Sequence, residues 1–170
     1  MARGAARGSD ETDFGGPGGG FGAARGAAQA GDYEKGYEAY IRGQFEAARQ
    51  FWEAAAADGE VKALNNLAWL YLKGDGVPQD YTVAAEWLRQ AAGRGLAVAQ
   101  RTLAVMYARG HGVPRDLGAA YMWSKIAAEN GNDGAAQLEA ALAKKLTPEE
   151  TAEAAARAER CLASDYRDCE

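Results

Sequence analysis

Residues 71–88 read YLKGDGVPQDYTVAAEWL, and thirty-six positions later residues 107–124 read YARGHGVPRDLGAAYMWS. The two stretches share a Gly-x-Gly-Val-Pro-x-Asp core and carry a Trp at the same distance beyond it, Trp87 in one and Trp123 in the other. Self-similarity at a period of roughly 20–50 residues marks chains that stack copies of one supersecondary unit. It narrows the fold more than any other feature of the chain, because each copy must bury its apolar face against a neighbouring copy.

From residue 31 onward apolar residues recur at i, i+3, i+4 and i+7, and no alternating strand pattern interrupts them. Turn and cap residues predict helices near 32–42, 44–57, 60–73, 79–92, 96–109, 116–129, 133–145 and 148–163. Gly59, Gly95 and Gly131 repeat at intervals of thirty-six. Each falls just past a predicted helix end, where glycine closes the last turn in a left-handed conformation. Aligning on them matches Phe45 with Tyr81 and Leu117, Phe51 with Trp87 and Trp123, Ala63 with Ala99 and Ala135, Leu67 with Leu103, and Tyr71 with Tyr107. Their recurrence places these residues on buried faces, and it reads the Tyr and Trp residues as core filling rather than as a stacking platform for a ligand. The expected fold is all-α, a solenoid of about three stacked helix pairs closed by a C-terminal capping helix.

The ends depart from the repeat. Residues 1–30 hold nine Gly and eight Ala, too little apolar surface to offset the entropy of ordering them, and are read as a flexible leader. Ala28-Gln29-Ala30 has the small-x-small form of a signal-peptidase site without the apolar segment that should precede it. The repeat array is placed at 31–146, with units near 32–59, 60–95 and 96–131 and a partial one at 132–146. The first unit is shortened, since YIRGQF stands where the next has YLKGDGVPQDY. Residues 147–170 form the capping helix and a Cys-containing tail, opened by Thr147, Pro148 and Glu150 in the pattern of a capping box.

Acidic and basic residues are mixed along the body and the net charge is −5. This predicts no basic stripe able to neutralise a run of phosphates, and so no nucleic-acid partner. No stretch approaches the ~20 apolar residues of a membrane span. Cys161 and Cys169 are eight apart, about 12 Å along a continuous helix, beyond disulfide reach. They bridge only if the helix stops between them, and Ser164 and Asp165 are residues that favour turns. A bridge implies an oxidising compartment, periplasmic or secreted; free thiols with no intact signal segment are equally compatible with the cytoplasm.

Residues 33–142 resemble the Sel-one-like repeat (SLR) family, a subclass of tetratricopeptide-type helical repeats. The resemblance is carried by AxxxLAxxYxxGxGVPxD, from Ala63 to Asp80 and again from Ala99 to Asp116, followed by AAxWLxxAAxxG from Ala84 to Gly95 and AAYMWSKIAAENG from Ala119 to Gly131. It implies a superhelix of antiparallel helix pairs that acts as a binding scaffold or adaptor for proteins or peptides. Some cysteine-rich bacterial members pair cysteines with seven residues between them, the spacing of Cys161 and Cys169, although here the pair follows the array and does not staple each repeat. Some members are also ascribed penicillin-binding and weak β-lactamase activity, which makes an envelope enzyme or peptidoglycan-binding protein the alternative reading.

No catalytic constellation emerges. His111 is the one histidine and stands alone on a loop, whereas a metal site needs several ligands and a nucleophile needs a neighbouring base. No cofactor motif or metal set is found. Function is therefore expected where the copies differ in the concave groove, which the first helix of each pair lines in this architecture: Lys62, Asn65 and Trp69 in one copy, Val98, Arg101 and Val105 in the next. An aromatic beside polar groups has the composition of a binding hot spot, while the alternative puts Trp69 under an adjacent helix. The partner is a protein or peptide, and self-association remains open.

Overall fold

The computed structural model describes residues 31–169. The leader predicted at 1–30 lies outside them. Among the described residues there are eight helices and no strand: α1 (Asp32–Ile41), α2 (Phe45–Ala57), α3 (Val61–Lys73), α4 (Tyr81–Ala92), α5 (Ala97–Arg109), α6 (Leu117–Glu129), α7 (Asp133–Ala143) and α8 (Pro148–Ala163). They run where the periodicity places them, shifted by a residue or two at some ends.

Local chemistry explains the boundaries. Asp80 accepts hydrogen bonds from the N–H groups of Thr82 and Val83, and Asp116 accepts one from Ala119, so α4 and α6 begin on carboxylate caps. Thr147 and Glu150 form the reciprocal capping box of α8 at 3.1 and 2.8 Å. At the other ends, the N–H groups of Glu60, Leu96 and Asn132 reach back to the carbonyls of Ala55, Ala91 and Ala127 at 2.9, 3.1 and 2.9 Å. The glycine before each, Gly59, Gly95 or Gly131, has a φ between 86° and 96° or of 81°, the left-handed turn that such closures require. The Gly-x-Gly-Val-Pro loops are held just as firmly. In each copy the Asp N–H donates back to the Tyr carbonyl at 3.0 Å, Asp80 to Tyr71 and Asp116 to Tyr107.

The second glycine of that loop has another duty. A Cβ at Gly76 would strike Phe45 at the start of α2, and one at Gly112 would strike the backbone of Tyr81 and Thr82 at the start of α4. The loop is thus a docking contact onto the preceding unit as well as a turn, and Phe45 and Tyr81 are the matched residues that receive it.

Each helix packs on its chain neighbours, and α8 lies along α6 rather than pairing with α7. The all-α helical repeat solenoid expected from the sequence is what folds, but its last helix closes over the side of α6. The face of α8 that makes this contact consists of Ala154, Ala158 and Cys161, all buried, and small side chains allow the close approach. The main core threads through Ala63, Leu67, Ala91, Ala99 and Leu103, all without exposed area.

Two details of the core differ from the sequence reading. Trp123 is buried, 7 % exposed, but its counterparts Phe51 and Trp87 are only half-buried against the rim of the core. The deepest slot lies one residue further on, occupied by Trp52, Leu88 and Ser124. Trp52, 2 % exposed, fits because Gly36 in the middle of α1 has no Cβ to meet the indole, and its Nε1 donates to the Tyr33 carbonyl at 3.2 Å. A glycine inside a helix costs about 1 kcal/mol relative to alanine, and that anomaly in α1 was the available signal for the large neighbour.

Ser164 ends α8, and Asp165 and Tyr166 follow with φ of 53° and 61°. This reversal brings the Cα atoms of Cys161 and Cys169 to 4.4 Å, and the two are joined in a disulfide. The Tyr166 ring then rests on Gly95, and its hydroxyl accepts a hydrogen bond from Asn130 at 2.8 Å. Asn130 also donates to the buried Gln100, which in turn donates to the Ala92 carbonyl. The tail is anchored by this relay to the junction of α4, α5 and α6.

Candidate partner-binding face

The six residues singled out from the sequence occupy the same stripe of two equivalent helices, Lys62, Asn65 and Trp69 on α3 and Val98, Arg101 and Val105 on α5. On both helices the opposite side is the core: Ala63, Leu67 and Leu70 on α3 and Ala99, Leu103 and Met106 on α5 are buried. Lys62 and Arg101 are exposed, Asn65 and Val105 are half-buried, and Trp69 and Val98 expose 39 % and 48 % of their surface. Trp69 therefore sits at the surface with its ring partly covered, and the Lys73 ammonium stands 5.8 Å from its centroid.

Two features of this stripe are polar. The side-chain oxygen of Asn65 is shielded from solvent and has no hydrogen-bond partner among the described residues, an arrangement that costs on the order of 1–3 kcal/mol. The Arg101 side chain extends toward α7, where Gly134 leaves room for it; a Cβ there would come within 3.0 Å of Nε.

The expectation of evenly mixed charge fails here. Every charged side chain on α3 and α5 is basic: Lys62, Lys73, Arg101 and Arg109. The ion pairs among the described residues lie elsewhere, Lys35 with Asp32 and Arg42 with Glu38 around α1, Arg49 with Glu46 and Glu53 on α2, and Lys125 with Glu129 on α6. Averaging along the chain hid this segregation, because the acidic residues concentrate on the other helices. Lys73 and Arg109 extend the same stripe by one turn, four residues beyond Trp69 and Val105. Lys73 and Arg109 are related by the same thirty-six-residue spacing as the six candidate residues and lie outside that set.

The resolved pKa shifts follow the ion pairs and buried contacts. The hydrogen bond from Arg49 holds the Glu46 carboxyl below its usual range. Tyr40 donates to Asp75 at 2.8 Å, and this bond, with burial, raises its phenol above 10.0. Burial, then the Glu139 carboxylate, raises Tyr121, which donates to Glu139 at 3.1 Å. Glu129 raises Lys125.

His111 is exposed and stacks on the Tyr81 ring at 5.0 Å. No group of three or more His, Cys, Asp or Glu residues that could hold a metal is found among the described residues, and none of their helices is long and apolar enough to cross a membrane. Tyr71 and Tyr107 are half-buried against the core, and Arg89 donates to the Tyr107 hydroxyl at 3.3 Å. Two surface depressions, of about 630 and 220 Å³, lie beside Phe45 and Gly76 and between α6 and α8. None of the six residues lines either one.

Residues 61–96 and 97–132 match the family model described as Sel1 repeat. Among solved structures, the chain is similar to c5321, a protective antigen present in uropathogenic Escherichia coli strains displaying an SLR fold, at 29% identity and a TM-score of 0.75 over 83% of this chain. It spans about a third of that protein, 32% of its length. It is also similar to a Sel1 repeat protein from Oxalobacter formigenes, at 31% identity and a TM-score of 0.59, covering 65% of this chain and 86% of the other. Among curated proteins there is no match.

Proposed function

Because the chain belongs to the Sel1 repeat family, whose members generally serve as protein-interaction scaffolds, we propose that it is a non-catalytic adaptor that holds a protein or peptide partner on the outward stripe of α3 and α5. One observation carries this reading. The two matched units keep the same buried alanines and leucines at Ala63 and Ala99, Leu67 and Leu103, Ala68 and Ala104, and Ala91 and Ala127, and they differ at all three positions of this stripe, where Trp69 stays 39 % exposed on the helix that also carries Lys62 and Asn65. A frame that must stack keeps its interior constant, and a surface that must recognise one partner is free to vary. A part-covered aromatic flanked by polar groups is also the usual anatomy of an interface anchor.

Capture of partners from the source organism, comparing wild type with Trp69→Ala and Arg101→Ala, tests the reading. Both variants should lose the same retained proteins, while the thermal melt of Trp69→Ala shifts by less than about 2 kcal/mol because only part of the indole is buried. A collapse of the melt would make Trp69 a core residue and end the proposal. The penicillin-binding or β-lactamase-like alternative draws no support from the similar proteins. Turnover of nitrocefin by the purified chain in the presence of a chelator would revive it.

A further inference from the structure

Resting on that reading, we propose that the occupant of the α3–α5 stripe is an acidic peptide segment bearing an aromatic or large aliphatic side chain. In a protein of net charge −5, two equivalent helices carry four cations and no anion. None of Lys62, Lys73, Arg101 and Arg109 lies within ion-pair distance of a carboxylate among the described residues.

The helix dipole accounts for part of this pattern only. Lys73 and Arg109 stand in the last turns of α3 and α5, where the negative end of the helix favours cations. Lys62 stands in the first turn of α3, where the positive end opposes it, and Arg101 is far from either end of α5. The Glu60 carboxylate caps α3 and accepts from the Lys62 N–H at 3.1 Å without pairing with its ammonium, and Arg101 has no such neighbour on its own helix. Their counterparts in the other copies are Val98 for Lys62 and Asn65 for Arg101, so the repeat frame does not require a cation at either place.

Between the charges the stripe is apolar. Trp69 lies between Lys62 and Lys73 on α3, Val105 lies between Arg101 and Arg109 on α5, Val98 precedes Arg101, and the Asn65 carboxamide lies one turn before Trp69. An extended chain running along the stripe, from the first turns of the two helices to their last, would meet cations on both flanks and the indole between them. A carboxylate on each side and one large apolar side chain at the centre match that order. The stripe is also bounded. On α1 the positions corresponding to Asn65 and Trp69 hold Glu34 and Glu38, both exposed, so on that side the acidic part of the occupant stops at α3. A long polyanion such as a nucleic acid would run onto those carboxylates, and a short acidic segment would not.

The test uses the full chain and two fluorescein-labelled twelve-residue peptides, one alternating Glu and Asp around a central Phe-Leu, the other with Lys and Arg in place of the acids. Anisotropy titrations should show the acidic peptide bound at least tenfold tighter than the basic one, and weakened several-fold when salt is raised above about 0.15 M, where screening shortens the reach of surface charges. The double variant K62E/R101E should lose at least tenfold in affinity with its helical melt retained, while R94E, in the turn after α4, should bind as wild type does. Equal binding of the two peptides, undiminished binding by K62E/R101E, or tighter binding of single-stranded oligo-dT than of the acidic peptide would overturn the proposal. If the acidic peptide fails while Trp69→Ala still abolishes partner capture, the charge class is wrong and the binding face stands. If both fail, the face itself is wrong.

Discussion

The unit beginning at α3 and the unit beginning at α5 share most of their small and leucine core residues, although buried Leu64 and Leu88 give way to Gln100 and Ser124, and they differ at every position of the stripe. Ala63 and Ala99, Leu67 and Leu103, and Ala91 and Ala127 are buried in matching places, and Asp80 and Asp116 cap matching helices. Outside, Lys62, Asn65 and Trp69 correspond to Val98, Arg101 and Val105. The junction loops show a milder version of the same contrast. Gly76 and Gly112 dock in the same way on Phe45 and Tyr81, yet between the glycines one loop places Asp75 under the Tyr40 hydroxyl and the other stacks His111 on Tyr81. Geometry is held constant by the residues that touch backbone or core, and chemistry is left free at the residues between them.

The strongest way to break that comparison is at a docking glycine. Gly112→Ala puts a Cβ into the Tyr81 backbone at a φ of 69°, and should destabilise the fold by about 2–4 kcal/mol in urea unfolding, from strain and overpacking together. Gly59→Ala sharpens the point. Its φ is 96° but nothing lies within 4 Å of the added carbon, so the loss should stay near 1–2 kcal/mol, the left-handed penalty alone. Equal losses would mean that the loop acts only as a turn. Next comes the tail. Reducing the disulfide across the eight-residue separation of Cys161 and Cys169 should cost about 2–3 kcal/mol on the chain-entropy account. It should also release Tyr166 from Asn130, visible as faster amide exchange after residue 163; Cys169→Ser should reproduce both effects without reductant. The smallest effect concerns pH. The Tyr40 phenol is raised in the folded state, first by its hydrogen bond to Asp75, so its contribution to stability is whole below the unfolded value near 10.0 and fades as pH climbs through the folded value. Asp75→Asn should flatten that alkaline decline in denaturation series run from about pH 9 upward.

Much of the candidate site could be read from the spacing. The helix period located one stripe on each first helix, and the repeat showed which letters varied. Two aspects escaped. The charge pattern was averaged away, because a sequence mixes into one string the helices that the fold separates; only with α3 and α5 set apart do Lys73 and Arg109 join Lys62 and Arg101. The degree of exposure of Trp69 was open as well, since a helical wheel gives direction but not how far a neighbouring helix reaches over the ring.

By itself the sequence determined the helices, their caps and the repeat, because these depend on residues within a few positions of one another. Carboxylates at N-caps, glycines in left-handed turns and the apolar period act locally, and they recur every thirty-six residues with the same result. The tertiary structure decided what long-range contacts decide: Trp52 in the deep slot opposite Gly36, α8 laid along α6, and the tail reversed through Asp165 and Tyr166 so that Cys161 meets Cys169. Two non-glycine residues in left-handed conformations carry a local cost. The tail holds that shape through the disulfide and the Tyr166–Asn130 hydrogen bond, contacts that exist only once residues far apart in the chain have been packed together.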